Sequence, residues 1–231
     1  MKNKIEVDQN FLEVISILEK YKINYWLGHG TLLGIIRDNK LIEWDHDIDV
    51  AVWAKEVRQD EILEIMKKNN FILREGFGVE SPDLSFNKNG GRIVDFNFYE
   101  IVDNSEYGKM AQILWPVPKN YFMKLIHALS ESEKYRGKFK QIINSFSKFN
   151  SFFKILKNYL IKKDLFYKLE GYSEPVQFIK KIKKFDFHGL NINIPGEPEK
   201  YLAYLYGENW RIPKKNYVWY KDGASLVSEK R

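Results

Sequence analysis

The stretch YWLGHGTLLGIIR at residues 25–37, followed by WDHDIDVAV at residues 44–52, decides the fold expected for this chain. Its pattern predicts a strand, a glycine turn, a short helix and a second strand. Because strand side chains alternate with a period of two, three carboxylates fall on one face of the second strand: Asp45, Asp47 and Asp49. The apolar residues between and after them face the other way and anchor this strand in a core.

Three carboxylates on one strand face repel one another, because they lie roughly 6–7 Å apart along the strand. The repulsion predicts a bound divalent metal or, failing that, a buried lysine or arginine. Hard oxygen ligands suit Mg²⁺ or Mn²⁺ better than Zn²⁺ and leave metal positions open for phosphate oxygens. The alternative is an acidic surface turn that faces water, which the apolar strand that follows disfavours.

The glycine turn indicates an anion site beside these carboxylates. Gly28 and Gly30 permit a tight turn and a close approach of the backbone, and Thr31 is expected to cap the helix. Free amides and the positive end of the helix then face the anion that the metal holds. A glycine turn alone is a weak signal, and the Asp-x-Asp strand that follows it makes the pattern more specific.

A further carboxylate, Asp95, lies in GRIVDFNFY at residues 91–99. This is an apolar strand pattern in which an unpaired carboxylate is expensive. A role as metal ligand or as general base explains such a residue, and Asp45 is the other candidate for the base.

Together these motifs resemble the LicD family, which includes bacterial phosphocholine transferases and the animal fukutin and fukutin-related proteins. The resemblance rests on GTLLGIIR at residues 30–37, on WDHDIDV at residues 44–50 and, more weakly, on YLAYLYGENW at residues 201–210. It implies the nucleotidyltransferase fold, whose pattern is a glycine turn, an Asp-x-Asp strand and a third carboxylate on a later strand. The fold class expected is therefore α+β, with a mixed sheet flanked by helices.

Within this pattern the expected metal ligands are Asp47, Asp49 and Asp95. The chain departs from the family at His46, where many members have Asp, and His46 is expected to point away from the metal. Arg37 ends the short helix and is expected either to reach a phosphate or to form a salt bridge with the neighbouring Asp38 or Glu43; the resemblance favours the phosphate.

The chain has 231 residues, of which 44% are hydrophobic, so it can bury a sizeable core. One elaborated domain is expected. We expect a catalytic core at residues 1–118, a basic helical region at residues 119–190, and a C-terminal strand, helix and tail at residues 191–231 that return to the core. The absence of cysteine excludes disulfides, thiolate zinc sites and thiol nucleophiles. The sequence shows neither a secretory signal nor a membrane-spanning run, so a cytoplasmic protein is expected.

Positive charge is concentrated in residues 119–184, which carry 16 Lys and Arg against 5 Asp and Glu. Aromatic residues recur there at helical spacing, which fits either a helix that covers the catalytic sheet or an interfacial helix at the inner membrane face. Packing on the sheet is the favoured interpretation. Near the C-terminus, Lys214 and Lys215 are expected either to bind donor phosphates or to lie in a solvated tail.

The residues themselves support a magnesium-dependent transfer of a phosphorus-containing group. The resemblance implies a narrower reaction, in which a phosphocholine or phosphopolyol moves from a CDP-activated donor to a sugar hydroxyl of a bacterial cell-surface glycan such as capsule, lipopolysaccharide or teichoic acid. One alternative is a nucleotidyltransferase that moves NMP from an NTP. The other is a basic nucleic-acid-binding module, which has no use for the carboxylates, so nucleic acid is not an expected partner.

Overall fold

The structure is a computed structural model that describes residues 8–74, 77, 81–104, 108–130, 140–217, 223 and 225–229. Its helices are α1 (Gln9–Lys20), α2 (His29–Asp38), α3 (Gln59–Lys68), α4 (Tyr121–Ser130), α5 (Lys140–Ser145), α6 (Asn150–Lys162), α7 (Val176–Ile179) and α8 (Pro198–Tyr206), with a 3-10 helix at Ser147–Phe149. Its strands are β1 (Trp26–Leu27), β2 (Asp47–Trp53), β3 (Ile72–Leu73), β4 (Asp83–Asn87), β5 (Ile93–Asn104), β6 (Gly108–Pro118), β7 (Tyr167–Pro175), β8 (Ile182–Phe187), β9 (Leu190–Pro195) and β10 (Leu226–Glu229). The predicted α+β class is confirmed.

The chain divides into two compact units, Met1–Ile113 with Tyr172–Leu226, and Leu114–Gly171 with Val227–Arg231. The expectation of one elaborated domain stays a prediction. The helical prediction for the basic segment holds only as far as α6. Asp164 adopts a left-handed φ of 55° just after that helix, and β7, α7 and β8 occupy much of the rest of the segment.

The sheet of the first unit is mixed. Strand β2 pairs in parallel with β5 and antiparallel with β1, whereas β4 and β6 pair antiparallel with successive parts of β5. Strand β5 is therefore central and lies between β2, the Asp-x-Asp strand, and β4. The sequence NKNGG at residues 87–91 has the Asn/Gly pattern that predicts a hairpin turn, and it connects β4 to β5. The core beneath this sheet includes Ile48, Val50, Val94 and Phe96, none of which is exposed to solvent.

Helix α1 packs beside this sheet. The sequence predicts it, because Asp8 is a good capping residue and is followed by apolar residues at helical spacing: Phe11, Leu12, Val14, Ile15 and Leu18. The Asp8 carboxylate accepts hydrogen bonds from the backbone amides of Asn10 and Phe11, so it caps the helix as expected. Asn10 in turn donates its side-chain amide to the carbonyls of Lys88 and Arg92, which fixes the helix to the turn before β5.

In the second unit, helix α4 packs against α6. The sequence WPVP at residues 115–118 predicts the close of the sheet region, and these residues form the last part of β6 (Gly108–Pro118). Among the described residues, no helix is both long enough and apolar enough to cross a membrane.

Candidate active site

Carboxylates from β2 and β5 lie side by side on one face of the sheet. Asp49 and Asp95 are direct register partners in the parallel β2–β5 pair, and Asp47 precedes Asp49 by two residues on the same face. Ile48 and Val50, on the opposite face, are fully buried. The alternation predicted from WDHDIDVAV is therefore confirmed from Asp47 onward.

The third predicted strand position, Asp45, lies outside the strand. Strand β2 begins at Asp47, because the backbone carbonyl of Asp45 accepts a hydrogen bond from the Arg92 guanidinium instead of from a neighbouring strand. Arg92 also donates to the carbonyl of Ile42, at 2.9 Å, and so holds the loop before β2. The Asp45 carboxylate nevertheless reaches the site, where it contacts Gly30 at the position that a Cβ atom would occupy.

The carboxylates lie close enough together to change one another's pKa values. Burial, followed by a hydrogen bond that the protonated Asp45 donates to Asp47 and by the charge of Asp47, raises the pKa of Asp45 to about 7. Burial and the charges of Asp47, Asp45 and Asp95 raise the pKa of Asp49 well above its usual value. Such a cluster favours the binding of a cation, as the sequence predicts.

Asp95 is held from its other side by a polar chain. Ser85 on β4 donates its hydroxyl to the Asp95 carboxylate, and Arg74 donates to the Ser85 hydroxyl at 2.9 Å. Burial raises the pKa of Asp95 to about 6, and the hydrogen bond from Ser85 partly opposes that rise. The Asp95 side chain is therefore held in place by the hydrogen bond from Ser85.

The start of α2 faces Asp49, although not through the predicted cap. Gly28 is the N-cap residue and Thr31 is the third residue of the helix, so the prediction that Thr31 caps the helix is wrong. The Thr31 hydroxyl instead accepts the backbone amide of Asp49 at 2.8 Å. Its own backbone amide lies 3.5 Å from Asp49 Oδ2, so the helix N-terminus does point at the carboxylate cluster.

A buried network behind this helix start was missed by the sequence reasoning. His29 Nε2 lies 2.9 Å from the Tyr99 hydroxyl, which donates to Glu174 Oε1 at 3.1 Å, and Tyr201 donates to Glu174 Oε2 at 2.8 Å. The His29 ring also contacts Tyr172, with ring centroids 4.7 Å apart.

Burial decides the charge states in this network. It lowers the pKa of His29 to about 4, against the opposing effect of Asp47, and raises the pKa of the fully buried Glu174 to about 7. The positive φ of His29, 42°, marks the position as unusual, but that angle cannot be read from the sequence. No motif surrounds Glu174 in β7, so nothing local indicates its role.

The C-terminal segment returns to the loop before β2. Lys215 lies over the ring of Trp44, 5.2 Å from its centroid, and Trp44 immediately precedes Asp45. Lys214 lies over the ring of Tyr217, which contacts Tyr206 at 5.0 Å between centroids. Both predicted lysines therefore lie on aromatic rings in the described structure, and their role in donor binding stays a prediction.

Arg37 forms a salt bridge with its neighbour Asp38. Its guanidinium makes a bidentate contact with Asp38, with Nη2 to Oδ2 at 2.7 Å, and its side chain is only 6% exposed. This is the salt bridge that the sequence offered as the alternative to a phosphate contact.

Within the part of the chain that the structure describes, no three or more histidine, aspartate or glutamate side chains come together closely enough to hold a metal ion by themselves. The chemistry of the donors nevertheless fits a hard divalent cation, because Asp47, Asp49 and Asp95 offer only carboxylate oxygens. Asp49 is surrounded by other carboxylates and by a backbone amide. Two or three carboxylates are enough where substrate phosphates supply further ligands.

Comparison with known proteins gives a consistent result. A family model described as LicD/FKTN/FKRP, nucleotidyltransferase domain, matches residues 22–127. Ribitol 5-phosphate transferase FKRP of Homo sapiens is 30% identical over 111 residues, which are 48% of this chain and 20% of that protein. Ribitol-5-phosphate transferase FKTN of Homo sapiens is 23% identical over 205 residues, 87% of this chain and 32% of that protein.

A bacterial relative shares a shorter and more similar stretch. Lipopolysaccharide cholinephosphotransferase LicD of Haemophilus influenzae is 48% identical over 44 residues, 19% of this chain and 17% of that protein. The chain therefore spans about a fifth of FKRP and about a third of FKTN. The residues matched by the family model include the glycine turn and all four carboxylates of the site, and together with these relatives the match supports membership of the LicD family.

Proposed function

We propose that this chain is a magnesium-dependent transferase that moves a phospho-alcohol group, of the phosphocholine or phosphopolyol type, from a CDP-activated donor to a sugar hydroxyl of a bacterial cell-surface glycan. The observation that carries the proposal is the register pairing of Asp49 with Asp95, beside a helix N-terminus whose Thr31 amide points at Asp49. The names of the FKRP, FKTN and LicD relatives, which are ribitol phosphate and choline phosphate transferases, support the choice of transferred group.

The proposed reaction breaks the phosphoanhydride bond of the donor and forms a phosphate ester bond to the acceptor. The acceptor hydroxyl oxygen attacks the phosphorus that carries the alcohol, the bond from that phosphorus to the bridging oxygen breaks, and CMP leaves with the electron pair. The hydroxyl proton passes to a carboxylate, for which Asp45 and Asp95 are the two candidates. Their pKa values of about 7 and about 6, raised mainly by burial, lie close to the range in which a base works at neutral pH.

Other residues of the chain hold the donor. Asp47, Asp49 and Asp95 would hold Mg²⁺ or Mn²⁺, which neutralises charge on the pyrophosphate when it is bound. Backbone amides at Gly30 and Thr31 bind phosphate oxygens, with Gly28 forming the turn before them. Lys214 and Lys215 approach the donor from the C-terminal segment, and Arg37 supports the end of α2. On this proposal the reaction takes place on the cytoplasmic side of the membrane at which such glycans are made.

A binding screen tests the proposal. Thermal shift is measured with CDP, CDP-choline, CDP-glycerol, CDP-ribitol and the four NTPs, with and without Mg²⁺, and hits are followed by CMP release. The proteins are the wild type, the Asp47→Ala/Asp49→Ala double variant, and Asp103→Asn, which changes an exposed carboxylate near the end of β5.

We expect stabilisation that is selective for cytidine, requires Mg²⁺, is lost in the double variant and is kept in Asp103→Asn. Selective stabilisation by one NTP, with pyrophosphate release, would establish nucleotidyl transfer instead. A lack of any metal-dependent response to any of these nucleotides would contradict both transferase assignments.

A further inference from the structure

Exposed hydrophobic side chains are concentrated in one part of the molecule. Fifteen large hydrophobic residues are exposed among those that the structure describes, and ten of them lie between residues 121 and 165. The ten are Tyr121, Phe122, Ile142, Phe146, Phe149, Phe152, Ile155, Tyr159, Ile161 and Leu165. Scattered exposed apolar residues are ordinary, but such a concentration marks a surface that binds something.

Helix α6 shows how this surface is built. Phe153, Leu156 and Leu160 are half-buried on the side of α6 that packs against α4. A second stripe at helical spacing, Phe152, Ile155 and Tyr159, is 61%, 70% and 57% exposed. No residue of α6 is fully buried. One of its two apolar stripes therefore packs against the protein, and the other faces outward.

The charge of the same segment is strongly positive. Residues 119–163 contain 11 Lys and Arg and only 2 acidic residues, Glu131 and Glu133. On α6 itself, Lys154 and Lys162 are exposed. On the helical wheel Lys162 lies beside the exposed apolar stripe, whereas Lys154 lies farther round the helix, next to the exposed Ile161. Long lysine side chains in that position can extend to anionic headgroups while the aromatic residues enter the acyl boundary.

We propose that the exposed stripe of α6, with the neighbouring exposed aromatic residues of α4, α5 and the 3-10 helix, is an interfacial surface that binds bilayers containing anionic phospholipid. The combination of aromatic and aliphatic side chains with lysines fits this partner. A nucleic acid would leave aliphatic residues such as Ile142 and Ile155 without a partner. A second copy would bring one positive surface against another, because a two-fold interface uses the same patch on both subunits.

The surface is independent of the proposed chemistry, since none of its residues belongs to the candidate active site. Membrane binding would bring the protein to substrates that are assembled on lipid. It would also survive the loss of Asp47 and Asp49, so failure of the proposed reaction would leave this inference intact.

Vesicle flotation with the purified full chain tests the inference. The vesicles are phosphatidylcholine alone, or phosphatidylcholine mixed with phosphatidylglycerol, at low and at high salt. The first variant carries Phe152→Ser, Ile155→Ser and Tyr159→Ser. The matched control carries Ile72→Ser, Ile101→Ser and Ile212→Ser, three exposed apolar residues in the other unit.

We expect the wild type and the control to float with the anionic vesicles and to be released by salt, whereas the α6 variant binds at least about tenfold more weakly. A second variant, Lys154→Glu with Lys162→Glu, keeps the apolar stripe and should lose the preference for phosphatidylglycerol. Circular dichroism and Tm check that each variant is folded. If the α6 variant is not folded, the lysine variant alone decides.

Two outcomes would overturn the inference. One is a wild type that stays with the soluble fraction at low salt, or that binds vesicles no better than the α6 variant. The other is a wild type that forms dimers by light scattering, is made monomeric by the α6 substitutions and does not float, which would assign the surface to a second copy of the chain.

Discussion

The carboxylate of Asp45 occupies the place at which a side chain on residue 30 would begin. Arg92 holds the backbone of Asp45 at its carbonyl, and Gly30 is the second residue of α2, so both backbones are fixed and only the Asp45 side chain can move. The glycine in the turn is therefore required by the position of a carboxylate, in addition to any close approach of a phosphate.

Replacing Gly30 with Ala is expected to displace the Asp45 carboxylate, because the new Cβ overlaps Oδ2. Since the displaced group is a side-chain end, Tm should change little, while kcat/KM should fall about 100-fold, the usual effect of misplacing a reacting group by about 1 Å. Steady-state kinetics and thermal unfolding check this.

Gly34, one turn further along α2, is the comparison. A Cβ there would lie 2.6 Å from the backbone carbonyl oxygen of Lys40, which cannot rotate away. Gly34→Ala should therefore destabilise the fold by roughly 1–3 kcal/mol. Equal losses of Tm in Gly30→Ala and Gly34→Ala would contradict the expectation that only the second substitution destabilises the fold.

Local signals predicted the parts of the site that depend on neighbours in sequence. The Asp8 cap, the alternation of Asp47 with Asp49, and the β4–β5 hairpin all follow from residues within a few positions of one another. The sequence predicts the first core strand over residues 23–27. Strand β1 is shorter, because the register with β2 pairs only Trp26 and Leu27.

Long-range contacts account for what the sequence did not reveal. Asp45 lies outside the strand because its backbone carbonyl accepts a hydrogen bond from Arg92, which is 47 positions away. Glu174 is buried between Tyr99 and Tyr201, which lie 75 and 27 positions from it. No periodicity or motif encodes such contacts. The sequence FGV at residues 77–79 also predicts a strand, and of these residues only Phe77 is among those that the structure describes.

The Asp49 carboxylate is expected to be costly in the metal-free protein, because burial and the charges of three other carboxylates raise its pKa. Asp49→Asn should therefore raise the free energy of unfolding without metal, since the neutral amide has no charge to bury or to repel. It should also abolish the stabilisation by Mg²⁺ and nucleotide. Urea unfolding of the wild type and of Asp103→Asn, an exposed carboxylate, gives the reference; a variant less stable than both would disprove the repulsion.

Lys215, which lies over Trp44, is expected to contribute to donor binding more than to chemistry. Lys215→Ala should raise the KM for the donor about 5-fold, the effect of losing an interaction of about 1 kcal/mol, with kcat nearly unchanged. Lys40→Ala is the matched control, because Lys40 is on the loop before β2 and pairs with Glu43 at 2.7 Å. A similar rise of KM in both variants would mean that the effect comes from general surface charge and not from a specific contact of Lys215 with the donor.

The buried Glu174 makes the stability of the protein depend on pH. Burial raises its pKa from 4.5 to about 7, so the folded state favours the protonated form. That stabilisation is complete below about pH 4.5 and is lost as pH rises through 7. His29, whose pKa burial lowers to about 4, acts in the opposite direction, because folding favours its neutral form above pH 6.5.

Replacing Glu174 with Gln removes the first of these effects and leaves the second. Gln keeps an oxygen that can accept a hydrogen bond from Tyr99 or Tyr201, and it carries no charge at any pH. Relative to the wild type, Glu174→Gln should therefore gain stability as pH rises from 5 to 8, by up to about 3 kcal/mol for a shift of this size. Chemical denaturation across that range measures the difference. A difference that stays constant with pH would mean that Glu174 is charged in the folded protein throughout, held by its two tyrosines in spite of its burial.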